Sequence, residues 1–491
     1  MCARSLVSLA GLVALALVPV AAPLAGQEPA PAGDEADLER FVEDRARLVR
    51  ELAKDFVELA AWCEGKELFA ARAGLLEDAL FLEPDHAAAR AALGWARGED
   101  GAWVRELTPP QRADQGDEEA ALELAQRRAA LVSSWRRRFL HLVERHEAAL
   151  APSRRADELA LLLRFDPDDA DVRARLGEAR APNGAWVLQE TLDARERRTQ
   201  LAELARSLLA SAPRPQPAES EPFEEELGVA WTARLKTDRV RILASAGEEE
   251  ARAAARAAHA IGDLYREALG SQTPLRPGFT AYLLGDAEER HALLAAWPDL
   301  SDEDRAWYAT LHGAWFGDSP RLALWGDMSE ERLDLLCRQV VASLLSYGSA
   351  IRTSSGWLWE GVGLYLVHAL VGTRLTHFVQ RGRYDAPSER ALELELLERP
   401  DWLVAARELY ASERPPRLVF VIGKDVNQMD MRDAVVAHAL AAYLVEARPD
   451  ALRRAIGLIG AKRSSTEALE KALAMDLPLV ERRLVRWLNE L

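Results

Sequence analysis

Cysteine is scarce, with three in 491 residues. Cys2 sits at the extreme amino terminus, and Cys63 and Cys337 are too few and too far apart for a disulfide framework or a cysteine-based zinc site. Both lie in apolar helical patterns and read as buried free thiols, with one bridge between them as the alternative. Basic charge is also short, 62 Lys and Arg against 79 Asp and Glu, for a net charge of -17. The average field therefore repels phosphate backbones and anionic lipid, and no nucleic-acid partner is expected. The short basic runs Arg136 to Arg138 and Arg453-Arg454 have acidic neighbours within a few turns and read as solvated helix faces. Neither a serine nucleophile elbow nor a phosphate-binding glycine loop stands out. Beyond residue 26 no stretch has the length and polarity of a transmembrane helix.

What is present is apolar residue in quantity, 49% of the chain, with Ala, Leu, Arg and Glu prominent. That composition predicts a largely helical chain of two or three domains, and with the strand patterns described below the expected class is mostly α with a small β-sheet (α+β). Its first residues carry Arg4, an apolar run from Leu6 to Ala22, and small residues around Ala25 and Gly26. The pattern is that of a secretory signal peptide over residues 1–26, which would remove Cys2 and direct the chain to a secreted or periplasmic location. An uncleaved N-terminal anchor is the alternative and the only membrane association expected. A Pro/Ala/Glu spacer follows over 27–35.

Residues 36–210 read as a helical repeat module. The phrase that runs from Leu80 through Pro84-Asp85, Leu93-Gly94 and Gly101-Ala102-Trp103-Val104 returns without gaps from Leu163 to Val187, at an offset of 83 residues. Such a recurrence signals two copies of one supersecondary unit. In each copy an amphipathic helix ends at Glu-Pro-Asp or Asp-Pro-Asp and a second helix follows. The phrase loosely resembles tetratricopeptide repeats, although the Gly-Ala-Trp-Val ending is foreign to them; that ending reads as a short extended segment whose Trp plugs the helical pair. The Pro- and Glu-rich stretch 211–225 reads as an interdomain linker.

Beyond the linker, 226–491 reads as strand (Arg239 to Ala244), helix (Glu248 to Leu269), strand (Phe279 to Leu284) and two further short strands at 314–316 and 322–325. Helices then follow over 329–347, 357–372, 431–446 and 478–491. Ser464 with Glu467 suggests a capped helix start, and Pro478 a first-turn proline. The helix over 329–347 has an apolar stripe of Leu333, Leu336, Cys337, Val340, Val341, Leu344 and Leu345.

Trp357-Leu358-Trp359-Glu360-Gly361-Val362-Gly363-Leu364-Tyr365 is similar to the phrase Trp-Leu-x-Glu-Gly-x-Ala-x-Tyr that carries the third metal ligand in gluzincin-type zinc metallopeptidases. Gly363 stands in place of the Ala. The resemblance covers roughly 226–491 and implies a gluzincin-like α+β domain. In that family the preceding helix carries His-Glu-x-x-His, two ligands and the base that deprotonates a zinc-bound water. Laid on that phrase, the first His becomes Arg338, the base becomes Gln339 and the second His becomes Ala342. Ala342 has no donor atom, Gln339 cannot accept a proton near neutral pH, and Arg338 brings a fixed cation to the place of a dication. The resemblance thus implies a degenerate site with no catalytic residue, no metal and no cofactor, in which Arg338 is expected to pair with Glu360.

The leading expectation is a non-catalytic peptidase-like protein that binds a peptide or protein segment in a cleft beside Trp357, Trp359, Glu360, Tyr365 and His368. Two alternatives stay open. One is a metal-dependent hydrolase with a relocated site around Glu360 and His368, zinc being its metal. The other is a scaffold in which only the helical repeats bind partners.

Overall fold

The structure, a computed structural model, describes residues 32–105, 114–298, 300–309, 311–316, 319–326, 328–378, 399 and 401–491. The signal-peptide segment 1–26 and residues 27–31 of the expected spacer lie outside the described residues. The chain divides into two units, Met1–Leu150 and Ala151–Leu491. It is mostly helical with small sheets, the coarse class that composition and strand patterning together imply, and no helix among the described residues is long and apolar enough to cross a membrane.

In the first unit helix α1 (Ala32–Gly65) begins inside the expected spacer and packs against α2 (Phe69–Leu82) and α4, burying Leu52, Phe56 and Cys63. Pro84 and Asp85 end α2, because proline cannot continue the hydrogen-bond ladder. Helix α3 (Ala87–Ala92) follows, capped by the His86 ring, which accepts from the Ala89 amide. Gly94, at φ 80°, closes α3 and releases the chain into the antiparallel pair β1 (Trp95–Arg97) and β2 (Trp103–Arg105). Helix α4 (Glu118–Arg145) starts at Asp117, whose carboxylate accepts from the Ala120 amide at 2.8 Å. Trp135 of α4 is 2% exposed and donates to the Leu48 carbonyl at 3.1 Å.

The second unit opens with the other copy of the repeat: α5 (Pro152–Leu163), α6 (Ala170–Arg175), β3 (Glu178–Arg180), β4 (Trp186–Leu188) and α7 (Gln189–Ser211). The two copies share three hydrogen-bond motifs. Trp103 donates to Asp85 at 2.7 Å and Trp186 to Asp168 at 2.9 Å. Arg97 donates to the Gly101 carbonyl and Arg180 to the Gly184 carbonyl, both at 2.5 Å. Arg90 and Arg173 each reach back to the carbonyl of the turn proline, at 2.9 and 3.0 Å. The repeating unit is thus two helices plus a hairpin, and the tryptophan ties the hairpin to the Pro-Asp turn.

The second unit continues through β5 (Gln216–Pro217), α8 (Pro222–Glu226), β6 (Ala233–Lys236), β7 (Arg241–Ala244), α9 (Glu248–Leu269), β8 (Thr280–Leu283), α10 (Ala287–Ala296) and α11 (Asp302–Tyr308). Then come β9 (Gly313–Trp315), β10 (Arg321–Leu324), α12 (Ser329–Ser343) and α13 (Gly363–Val371), with π-helical turns at Leu344–Gly348 and Leu358–Val362. The last helices are α14 (Trp402–Ala411), α15 (Leu418–Ile422), α16 (Met431–Ala447), α17 (Pro449–Gly460), α18 (Ser465–Leu473) and α19 (Leu477–Glu490).

β5 to β10 form one sheet in the order β5-β6-β7-β8-β10-β9, with β7/β8 and β8/β10 parallel and the other pairs antiparallel. Side chains alternate across a strand, so Ile242, Ala281 and Leu322 meet the helices while Leu243, Tyr282 and Ala323 face a second, smaller core with Trp297 and Phe316.

Two expectations about domain limits are corrected. The stretch 211–225 is not a linker: Gln216–Pro217 is the edge strand of the sheet, and Glu224 is 0% exposed because the Arg241 guanidinium binds both its oxygens at 2.8 and 2.9 Å. Nor do the two repeat copies form one module over 36–210, since the second belongs to the unit that ends at Leu491. Its Glu190 is 3% exposed and receives Arg448 at 2.5 Å and Arg483 at 3.1 Å, while the Leu188 amide donates to Glu490 at 2.9 Å. Charges on the last helix and on α16/α17 thus fasten the copy in place.

Candidate functional site

Every residue of α12 from Leu335 to Ser343 is buried, so the polar side chains there need partners inside the fold. Asp334, also 0% exposed, takes the Thr373 hydroxyl at 2.7 Å, the Leu375 and Thr376 amides at 3.1 Å each and the Thr376 hydroxyl at 2.5 Å. It thereby pins the segment after α13 across α12. One turn on, Arg338 is 0% exposed and donates to Glu360 Oε2 at 2.5 Å and to the Thr376 carbonyl at 2.8 Å. Its Cζ lies 4.5 Å from the centre of the Phe378 ring, and its Nε has no hydrogen-bond partner.

Glu360 is 0% exposed as well, and its second oxygen accepts the Phe378 amide at 2.6 Å. Both carboxylate oxygens are therefore committed. Gln339, where the resemblance would place a base, accepts from the indole nitrogen of Trp315. Ala342 is 2% exposed and simply fills core. A zinc ion does not fit this set: a cation already holds Glu360, and Ala342 has no donor atom. Among the described residues no group of three or more His, Cys, Asp or Glu is placed to hold a metal ion. Cys337 is a buried free thiol, its pKa pushed far up by burial, and Cys63 is likewise free and buried.

The π-helical turn Leu358–Val362 carries Glu360 and lies against α16. A Cβ on Gly361 would fall 2.3 Å from the Ala437 carbonyl oxygen, so only glycine lets the two backbones approach this closely. Gly363 is less constrained. A Cβ there would sit 3.8 Å from Arg338 Nε, an ordinary contact, so the departure from the family's Ala follows from no shortage of room.

The expected cleft residues separate into three environments. Trp359 alone lines a cleft of about 300 Å³, together with Trp315, Gln339, His377, Phe378 and Asn427. Its indole nitrogen donates to the Arg352 carbonyl at 3.1 Å, and its ring meets Phe378 edge-on at 5.6 Å. Trp357 is instead wholly buried and donates to Ser465 at 3.1 Å, and Glu360 lies in its ion pair beneath the cleft rather than on its wall. Tyr365 and His368 line a different cavity, of about 350 Å³. The expectation that His368 joins Glu360 is corrected: eight residues along a helix leave a residue about 80° out of phase, and the π-helical turn shifts the phase further.

Sequence reasoning missed His377 as a cleft residue. Its ring stacks on Trp402 at 5.8 Å, neither ring nitrogen has a partner, and its pKa is pushed down to about 3, chiefly by burial and then by Arg338. Asp334 was missed too; its spacing of four before Arg338 was the one available signal. Comparison with family models, with curated proteins and with solved structures gave no match.

Proposed function

We propose that this chain is an exported, non-catalytic peptidase-like protein, that residues 226–491 are a gluzincin-like domain with a dismantled metal site, and that the Trp359 cleft binds a peptide or protein segment. The observation that carries this reading is the Arg338–Glu360 pair at 2.5 Å, both side chains 0% exposed, at the positions where the sequence resemblance would put a metal ligand pair. A guanidinium held by a carboxylate and a carbonyl gives no Lewis acid, and the Gln339 amide gives no base. Further support comes from the order of elements: strand, helix, strand, two helices, an antiparallel strand pair, the α12 helix and then the Glu360 turn.

A segment of polypeptide suits the cleft for two reasons. Its wall is aromatic, with polar atoms at Gln339, His377 and Asn427 to orient a ligand. Among the described residues β9 is the last strand of its sheet, and it lines the same cleft, so an extended segment has a strand edge to pair with.

The test is metal analysis of the purified protein alongside titration with an aromatic-rich peptide library. We expect no stoichiometric zinc, no chelator-sensitive cleavage, and saturable peptide binding that Trp359→Ala weakens by roughly tenfold or more. Stoichiometric zinc with chelator-sensitive hydrolysis overturns the reading, as does peptide binding indifferent to Trp359.

A further inference from the structure

We propose that the cavity between α7, α13 and α16 is a binding site for a small organic monocarboxylate. It has a volume of about 350 Å³ and shares no lining residue with the Trp359 cleft. The argument is a count of its hydrogen-bonding groups. Of the two carboxylates on the wall, Glu446 has both oxygens occupied and Asp401 has its Oδ1 occupied. Glu446 takes two nitrogens of Arg198, at 2.9 and 2.7 Å, and the Tyr365 hydroxyl at 3.1 Å. Asp401 caps α14, taking the Leu403 amide at 2.8 Å and the Val404 amide at 3.4 Å.

Donors, by contrast, are left over. His438 is 3% exposed, faces this cavity from α16, and has no hydrogen-bond partner at either ring nitrogen. A buried imidazole with neither nitrogen bonded is costly, and ligand binding is a direct way to meet that cost. His368 of α13 opens onto the same cavity. Burial pushes its pKa down to about 4, and burial together with Arg374 pushes that of His438 well down. Both rings are therefore neutral near neutral pH, and each has one N–H to give and one nitrogen that accepts. Arg198 retains Nη1 beyond the two nitrogens committed to Glu446.

The Arg198 nitrogen and the two imidazole N–H groups call for a ligand that carries acceptors. Arg198 and Arg374 balance Glu446 and Asp401 in number, so a dianion such as phosphate would meet two fixed carboxylates without a matching excess of cation. A single carboxylate, spreading one charge over two acceptor oxygens, fits the two imidazoles and the Arg198 nitrogen. Leu201, Ala202, Ala369 and Leu403 supply an apolar wall for a short aliphatic body.

Calorimetric titration of the whole chain with butyrate, butyramide and inorganic phosphate tests this. Butyrate should bind saturably with a Kd in the millimolar range or tighter, and the other two should bind at least roughly tenfold more weakly. His438→Leu should weaken butyrate binding by a similar factor. Since that variant could fail to fold, the ring nitrogens of the wild-type protein are followed by ¹⁵N NMR, where butyrate should shift the His438 and His368 signals. Absence of saturable butyrate binding overturns the proposal, as does equal binding of butyramide, or histidine signals that butyrate leaves in place.

Discussion

Replacing Arg338 with methionine removes the cation and leaves the Glu360 carboxylate 0% exposed with a single donor, the Phe378 amide at 2.6 Å. Losing one partner of a buried pair costs roughly 3–5 kcal/mol, because the other charge stays in a medium that solvates it poorly. The lost bond to the Thr376 carbonyl, at 2.8 Å, falls within that figure. Glu360→Met strands the guanidinium in the same way, so two independent costs would sum to about 6–10 kcal/mol. In the double variant R338M/E360M no charge remains, and two main-chain groups, the Thr376 carbonyl and the Phe378 amide, lose their side-chain partners. At about 1–2 kcal/mol each, the double variant should lose only roughly 2–4 kcal/mol. The assay is urea unfolding followed by far-UV circular dichroism for the wild type, both single variants and the double. With two units in the chain, the transition read is the one that the substitutions move. The reasoning fails if R338M costs less than about 1 kcal/mol, or if the two single costs add in the double.

Installing the donors that the resembled phrase carries, as R338H/Q339E/A342H, should give a protein that binds one zinc ion per chain in calorimetry while R338H alone does not; a triple variant that ignores zinc would separate the sequence resemblance from the geometry. Gly361→Ala should destabilise the second unit by about 1–3 kcal/mol in the same urea assay, since the atom it meets, the Ala437 carbonyl oxygen 2.3 Å away, belongs to a helix backbone. Acid should weaken the fold through its buried histidines. His368 and His377 have pKa values lowered to about 4 and about 3, so the unfolded chain binds more protons below pH 6.5 and their contribution is lost as pH falls from there towards those values. The raised carboxyls Glu446 and Asp433 act in the opposite sense at the acid end. The urea midpoint should therefore drop between pH 6.5 and 4, and His377→Phe should make that drop shallower; an unchanged slope would refute the assignment.

Local periodicity carried much of the fold. Glu248–Leu269 has the bounds that its alternation of alanines with charged residues implies, and the pair β9/β10 lies where two short apolar runs were read as strands. The Arg338–Glu360 contact was expected from the resemblance, which lays Arg338 of one helix where a metal ligand facing Glu360 of the next would stand. Position 224 was not, since a glutamate in a Pro-rich run looks solvated until Arg241 and Arg234, strands away in sequence, converge on it. Trp357 and Trp359, two residues apart, looked equivalent, yet one is core and the other lines the cleft. The direction in which each side chain points depends on the π-helical turn that starts between them, and a wide turn leaves no mark in hydrophobic spacing.

The ordered path of 211–225 bears on how this molecule can be taken apart. Cutting where the composition invites a cut would strip an edge from the sheet, free Arg241 of its counter-ion and lay the apolar sides of α7 and α9 open to water. The two compact units divide between Leu150 and Ala151. A fragment beginning at Pro152 keeps its amino-terminal helix pinned by the Ser153–Asp476 contact, whereas one beginning after Ser211 inherits an unfilled groove and a reason to aggregate.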